Sequence, residues 1–324
     1  MRVSVVVPTH ERPELLACCL DHLVRQDLGT SDFEIVVVDD GSSREASVAN
    51  HAVTARASRR RPGLAVHYVH SSEHLGPAAA RNRGWRCART PVIAFTDDDT
   101  RPATGWLREG LAALNGFDAA AGRILVPVPG DPTDYERDAA GLANADFVTA
   151  NCFVRTAMLR AVGGFDERYR MAWREDSDLC FELRHRGARI GCATRAVVVH
   201  PIRPAKWGVS IKQQKRVVFD ALLYKKYPRD YRRWIRPQPP WHYYLAVLTL
   251  IAMVYAAWRG YAPGVVAGAI AWTTVTAAFC WKRLRATQKS TPHVLEMIAT
   301  SALIPPVSVF WRLAGAWRYR VLFL

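Results

Sequence analysis

The sequence predicts an α/β fold: a mostly parallel sheet flanked by helices, followed by a transmembrane helical hairpin. Three observations predict it. Residues 1–220 alternate short β-branched runs with stretches of helical periodicity, the pattern of parallel strands joined by helical crossovers. From about residue 240, two charge-poor apolar stretches of bilayer-crossing length follow one another. Clusters of acidic residues stand where strand-like runs end, the place at which open α/β sheets bind ligands.

Four early strands read as near-continuous apolar runs, as strands buried on both faces should: VSVVV (3–7), FEIVVVD (33–39), LAVHYVH (64–70) and PVIAF (91–95). Between the first two, RPELLACCLDHLVRQ has apolar residues at helical spacing and Pro13 near its start, where a missing N–H costs nothing. GPAAARNRGWRCA, between the last two, is a second helix. RASRRRPG (56–63) reads as a solvated basic loop. AVVVHP reads as a later strand that ends at His200.

The apolar stretches are residues 242–258 and 261–281, separated by Arg259 and Gly260 alone, with Tyr and Trp clustered at their ends as in interfacial belts. Arg229, Arg232, Arg233 and Arg236 precede the pair, and Lys282, Arg283, Arg285 and Lys289 follow it. By the positive-inside rule both ends of the hairpin face the cytoplasm. Residues 297–311, interrupted by Pro305 and Pro306, read as an interfacial or re-entrant segment rather than a span.

The 324 residues carry a formal net charge of +15, which calls for a polyanionic partner. Because the basic residues gather around the hairpin, an anionic membrane surface accounts for them and nucleic acid is not expected. The seven cysteines form no CxxC pair and read as reduced thiols. The N-terminal MRVSVVVPTH is too short an apolar run for a signal peptide.

Three acidic clusters carry the chemistry. Asp39 and Asp40 close the second strand, where an Asp-Gly-Ser turn is the plainer explanation. Asp97, Asp98 and Asp99 follow the fourth strand. Three adjacent carboxylates repel unless a cation lies among them, and an Asp-x-Asp unit can share a divalent ion with a diphosphate. Glu175, Asp176 and Asp178 stand at a helix start, where they either cap the helix or provide a general base. His200 is either structural or a metal ligand.

The order VSVVVPTHERPELL, FEIVVVDDGS, GPAAARNRG, PVIAFTDDD, GGFDE and EDSDL…VVVHP resembles family 2 glycosyltransferases with the GT-A fold, over roughly residues 1–220. The resemblance implies an inverting, metal-dependent enzyme that moves a sugar from a nucleotide-sugar donor, most often a UDP-sugar, with Mg²⁺ or Mn²⁺. It assigns Pro8, Thr9 and Glu11 to the nucleotide enclosure, Asp39 to the base and Arg81 to the nucleotide and its phosphates. Asp97 then lies nearer the ribose and Asp99 on the metal, with Asp97 the second candidate for the metal and Asp98 between them. Gly163, Gly164, Phe165 and Asp166 shape the acceptor side. Asp176 is the catalytic base, with Glu175 beside it and Asp178 in reserve.

Two positions depart from the family pattern. Glu182 stands where the family often has Arg, with Arg184 two residues on. The QxxRW motif of processive synthases survives as Gln213 and Arg216 but has Val217 in place of Trp, which argues for a non-processive enzyme. The expected organisation is a GT-A domain at 1–220, a basic juxtamembrane linker at 221–240, the hairpin at 241–282 and a cytoplasmic or interfacial tail at 283–324. Such an enzyme belongs to the bacterial membrane-anchored type. It sits on the cytoplasmic (inner) membrane, its catalytic domain facing the cytoplasm, with a lipid-linked or cell-envelope glycan as acceptor. A sugar nucleotidyltransferase and a non-catalytic, membrane-tethered nucleotide-sugar-binding protein are the competing readings. The first lacks the Gly-rich basic loop expected after strand one, and the second would require a broken acidic set.

Overall fold

A computed structural model describes residues 1–324. The chain divides into two compact units, residues 1–127 with 140–202, and residues 128–139 with 203–324.

The first unit is built on one eight-stranded sheet. Its strands are β1 (Val3–Thr9), β2 (Phe33–Asp39), β3 (Ala65–His70), β4 (Val92–Thr96), β5 (Arg101–Pro102), β6 (Ala119–Leu125), β7 (Asn151–Arg155) and β8 (Ile190–Val199), in the order β3-β2-β1-β4-β7-β6-β8-β5. The first four in that order are parallel; β7 runs antiparallel to both of its neighbours, and β6 and β8 are parallel. Helices α1 (Pro13–Leu23), α2 (Arg44–Arg60), α3 (Pro77–Cys87) and α4 (Trp106–Ala113) make the crossovers. The register sets Thr9 beside Asp39 and Asp39 beside His70, so the ends of β1, β2 and β3 are level. The aspartate run begins where β4 stops.

Strands β1, β2 and β4 are buried almost throughout, as their unbroken apolar runs require. The expectation fails for β3, which is half-exposed because it closes the edge of the sheet. The basic loop also needs correcting. Residues 56–60 are the last turns of α2, and Arg61, just beyond, donates to the carbonyls of Val24 (3.0 Å), Gln26 (2.7 Å) and Leu28. It thereby satisfies acceptors left open where α1 ends.

The second unit is helical. It contains most of α5 (Asp134–Ala140), a segment between β6 and β7; α6 (Thr156–Val162) and α7 (Glu175–His185) return to the sheet unit. Then follow α8 (Val209–Gln213), α9 (Val218–Lys226), the short α10 (Pro228–Asp230), α11 (Trp241–Trp258), α12 (Ala262–Leu284) and α13 (Thr291–Tyr319). The compact units change over at Ile202 rather than at 220, because α8 and α9 pack against α13. Residues 221–240 are correspondingly mostly helical.

Helices α11, α12 and α13 are each long and apolar enough to cross a membrane. The pair α11–α12 matches the expected hairpin. The segment expected to break at Pro305–Pro306 instead continues as helix through both prolines. Its inner face follows α8 and α9. Gly208 N donates to Glu296 Oε1 (2.8 Å), Lys215 lies over the Trp311 ring, and Gly315 lets the α9 backbone approach at Val218. That inner face is mixed, burying His293, Thr300, Ser301, Ser308 and Arg312 beside Met297, Ile304 and Val309, while Leu295, Ile298, Leu303, Phe310, Leu313 and Trp317 are exposed.

Candidate active site

The site forms where parallel strands deliver the acidic clusters to one edge. The loop after β1 is tightly held. Thr9 donates its hydroxyl to Asp98 (2.8 Å), and Arg12 reaches the other Asp98 oxygen at 3.4 Å. Glu11, at φ +57, binds its carboxylate to the backbone and hydroxyl of Ser43, while its own N–H donates to Ser42 (2.9 Å). This exchange satisfies the N-terminus of α2 and offsets a backbone conformation unfavourable for a side-chain-bearing residue. The Ser43 bonds hold the Glu11 carboxyl below its usual range. Pro8 is half-buried at the root of the loop.

Asp39 is fully buried and accepts from Ser42 N (3.0 Å), Asn50 Nδ2 (3.1 Å) and Tyr68 Oη (2.5 Å). Burial alone would raise its pKa, yet these donors bring it below the ordinary aspartate value. Asp40 accepts from the N–H groups of Leu75 (3.0 Å) and Gly76 (2.8 Å) and pairs with His74 (2.9 Å). His74 stacks on His10 at 4.0 Å, and the Nδ1 atoms of both rings lie 3.1 Å from the Asp40 carbonyl. The tight turn at Gly41, φ +69, admits no side chain; a Cβ would lie 2.3 Å from the Glu73 backbone.

Arg81 joins two clusters. From α3 its guanidinium donates to Asp97 Oδ1 (2.6 Å) and to Glu175 Oε1 (3.1 Å), and it is almost wholly buried. Burial disfavours its charge, but Asp97 and Glu175 more than compensate and raise its pKa. Asp97 is likewise pushed up by burial but held below the usual range by Arg81, His200 and Arg12. Asp98 faces Thr9 and Arg12 rather than its neighbours; burial pushes it up to about 6.

Asp97, Asp99 and His200 present ligand atoms all within 4.8 Å of one another. His200, just past β8, is fixed by its N–H to Leu125 O (2.8 Å), and its Nε2 lies 3.3 Å from Asp99 Oδ1. Two carboxylates and an imidazole fit Mn²⁺ or Mg²⁺.

At the start of α7, Arg174 takes φ +76 and Glu175 is buried. Burial, then the charge of Asp176, pushes Glu175 up to about 7 against the pull of Arg81, and burial raises Asp176 as well. Asp176 is half-buried and accepts from Ser177 N (2.9 Å). Asp178 is buried and receives the Tyr169 hydroxyl (3.1 Å).

Gly163 and Gly164 both adopt left-handed backbone after α6, and a Cβ on Gly164 would meet Asn82 Oδ1 at 2.4 Å. Asn82 receives Phe165 N and donates to Phe165 O, placing the Phe165 ring against Phe95 and beneath Arg81. Phe165 thus supports the arginine from below, and Asp166 pairs with Arg168 (2.6 Å).

The glycosyl transferase family 2 model matches residues 4–168 and the glycosyl transferase family group 2 model residues 92–282. The chain belongs to glycosyl transferase family 2. The sugar nucleotidyltransferase reading therefore falls. The pre-mycofactocin glycosyltransferase of Mycobacterium tuberculosis is 33% identical over 62% of this chain and 43% of its own length. This chain therefore spans under half of that relative. Glycosyltransferase AglE of Haloferax volcanii is 27% identical over 66% of this chain and 71% of its own length. In fold, the chain is similar to the Pyrobaculum calidifontis mannosyltransferase PcManGT, solved with GDP-Man and Mn²⁺, at TM-score 0.59, 19% identity, and 98% and 87% coverage. Residues 1–349 of S. aureus TarS, solved with UDP-GlcNAc, align at TM-score 0.52 and 16% identity over 100% of this chain and 93% of that one.

The reading of sequence alone did not find the Arg81 bridge, the hold of Thr9 and Arg12 on Asp98, or the His10–His74 stack.

Proposed function

We propose that the chain transfers a sugar from a nucleotide-sugar donor to a hydroxyl of a lipid-linked or cell-envelope glycan acceptor. The reaction is a non-processive, inverting displacement at the cytoplasmic face of the inner membrane. The observation that carries this reading is the convergence of Asp97, Asp99 and His200 with the buried Glu175, tied to Asp97 through Arg81, and its half-buried neighbour Asp176.

The three ligands would hold a divalent ion, which supplies neutralising charge to a leaving diphosphate. The GDP-Man and Mn²⁺ of PcManGT and the UDP-GlcNAc of TarS support a nucleotide-sugar donor; this chain's base and sugar follow from neither. Asp176 takes the proton of the attacking hydroxyl. Burial raises the basicity of Asp176, and Glu175 is committed to Arg81. Arg81 fixes the distance between the metal-ligand cluster and the base. Val217 in place of the processive tryptophan supports addition of one or a few sugars. The apolar helices support an acceptor presented from a membrane.

A donor screen tests the reading, measuring UDP, GDP or dTDP release with and without Mn²⁺. Asp176→Asn is expected to abolish transfer, a loss of at least about a hundredfold for a general base, and to leave donor binding intact. Asp99→Ala is expected to remove the metal dependence of donor binding. Transfer at wild-type rate by Asp176→Asn would exclude that residue as the base, and unchanged metal dependence in Asp99→Ala would exclude the ligand set.

A further inference from the structure

We propose that the helical unit contains a binding site for a lipid-borne phosphate, centred on Arg312. This inference rests on the membrane reading of α11–α13 and is independent of sugar transfer.

Arg312 lies on the inner face of α13 and is 2% exposed, yet its Nε and Nη1 have no hydrogen-bond partner. Its guanidinium carbon sits 4.9 Å from the centre of the Phe323 ring. Tyr244, in the first turn of α11, lies beside Arg312 and near Arg232, its buried Oη approached by the Arg312 side chain without a well-formed hydrogen bond. Arg232 stacks on Tyr224 at 4.9 Å and donates through Nη2 to Leu324 O (3.3 Å), leaving a buried Nη1 without a partner. Tyr224 and Tyr231 both pack on Phe323, at 5.4 and 5.6 Å, which gathers these groups around one aromatic cluster.

Two guanidiniums therefore present three buried nitrogens without a well-formed hydrogen bond to one neighbourhood, with the Tyr244 phenol beside them. A buried guanidinium without an acceptor is costly, and buried polar groups that lack a partner in the chain call for a ligand or water. Contrast Arg283 in the same unit, whose guanidinium meets Asp134 (2.8 Å), Thr300 (2.7 Å) and Ser301 (3.1 Å). The chain provides a complete acceptor set for one arginine and leaves Nε and Nη1 of the other without one.

Depth in the membrane decides the chemistry of the missing acceptor. Tyr244 stands at the entry of the hairpin, directly after the run Arg229, Arg232, Arg233 and Arg236. On the same stretch of α13, the outward residues Phe310, Leu313 and Trp317 are exposed and apolar. Arg312 thus belongs to the level at which helix ends meet headgroups, where the abundant anion is a lipid phosphate. Arginine suits it, because its forked donors match phosphate oxygens in pairs. A membrane phospholipid and a lipid-linked acceptor share this chemistry.

The test uses the full chain reconstituted with phosphatidylcholine vesicles containing a trace of fluorescent phosphatidylglycerol. Vesicle flotation reports membrane association, and energy transfer from tryptophan to the labelled lipid reports capture. Wild type is expected to capture the lipid, and Arg312→Gln to bind it about tenfold more weakly, the worth of one charged hydrogen bond. Arg312→Lys should recover part of the loss, and Arg232→Gln should lose less. Polyprenyl phosphate displacing the probe more strongly than unlabelled phosphatidylglycerol identifies the acceptor as the source; the reverse order identifies a membrane phospholipid. Equal capture by wild type and Arg312→Gln overturns the site in favour of water, and displacement by inorganic phosphate overturns the requirement for a lipid. Should Arg312→Gln fail to fold, judged by loss of nucleotide binding, Tyr244→Phe and Arg232→Gln take its place, and unchanged capture by both overturns the proposal. Failure of wild type to float refutes the membrane reading itself.

Discussion

The two units differ in what they bury beside their apolar residues. In the sheet unit, Val3, Val5, Val7, Ile35, Val37 and Phe153 are enclosed, and buried charge is confined mainly to the candidate site. In the helical unit α13 turns Thr300, Ser301, Ser308 and Arg312 inward and leaves Trp317 87% exposed. An aqueous surface would penalise the second arrangement, whereas hydrocarbon favours it, because a polar group facing lipid costs more than one facing another helix. The contrast extends to buried arginines: Arg81 has two carboxylates and Arg283 has one carboxylate with three hydroxyls. Burial alone does not identify a core; the solvent outside decides which residues go in.

The largest expected effect comes from removing the best-paired of these cations. Arg81→Met leaves Asp97 and Glu175 without their common partner and is expected to cost about 3–5 kcal/mol of stability, with transfer reduced beyond detection. Without the arginine both carboxylates shift upward and take up protons in the folded state. Their contribution is then favourable in acid and lost as pH rises through the new folded values, so the deficit at pH 8 should exceed that at pH 5. Chemical denaturation of wild type and variant at both pH values measures it. An equal deficit at both would show that Arg81 acts by packing rather than by charge.

How much of this was legible depends on the range of the forces involved. Strands β1, β2 and β4 announced themselves because both faces are buried, so every residue had to be apolar. Edge position, a tertiary property, gave β3 its half-exposed pattern. Strand β6 begins Ala-Ala-Ala-Gly, which carries no β signal; its Gly122 is there because Asn151 passes too close for a side chain. The extension of α2 through Arg59 and Arg60 depends on Arg61 finding carbonyls more than thirty residues earlier. At the site, the acidic clusters were visible as strand-end chemistry. Their partners were not, since Thr9, Arg12 and Arg81 meet their carboxylates only after the crossovers close. Two adjacent prolines read as a break in α13, yet packing along α8 and α9 carries the helix through them.

A matched pair of surface changes would break or sharpen the contrast between the units. Val48 on α2 is 65% exposed and Phe310 on α13 is 60% exposed. Val48→Asp is expected to change stability by less than about 0.5 kcal/mol, as for other surface positions. Phe310→Asp at equal exposure is expected to weaken vesicle partitioning by about 2 kcal/mol, the order of inserting an aspartate among lipid-facing side chains. Flotation and denaturation of both variants decide the matter. If Phe310→Asp partitions like wild type, the outward face of α13 does not meet lipid, and its exposed apolar residues need a protein partner instead.

The smallest effect is a titration confined to the sheet unit. Burial and the neighbouring Asp176 push Glu175 up to about 7, and Asp176 itself is raised, so the pair retains a proton at mildly acidic pH. A base must be unprotonated to accept the acceptor's proton, so transfer should rise about tenfold between pH 6 and 8 and level off above. Stability should move the other way. The raised folded value favours the native state below the ordinary glutamate range, and that contribution is lost as pH climbs through about 7. Opposite slopes of rate and stability over one window are the signature of a buried acid kept for chemistry rather than for folding. Glu175→Gln should flatten the stability slope, and vesicle partitioning, which depends on α11–α13, should not change across the same range. A transfer rate that fell between pH 6 and 8 would mean that the proton on this pair is donated rather than removed, and would reverse the role assigned to Asp176.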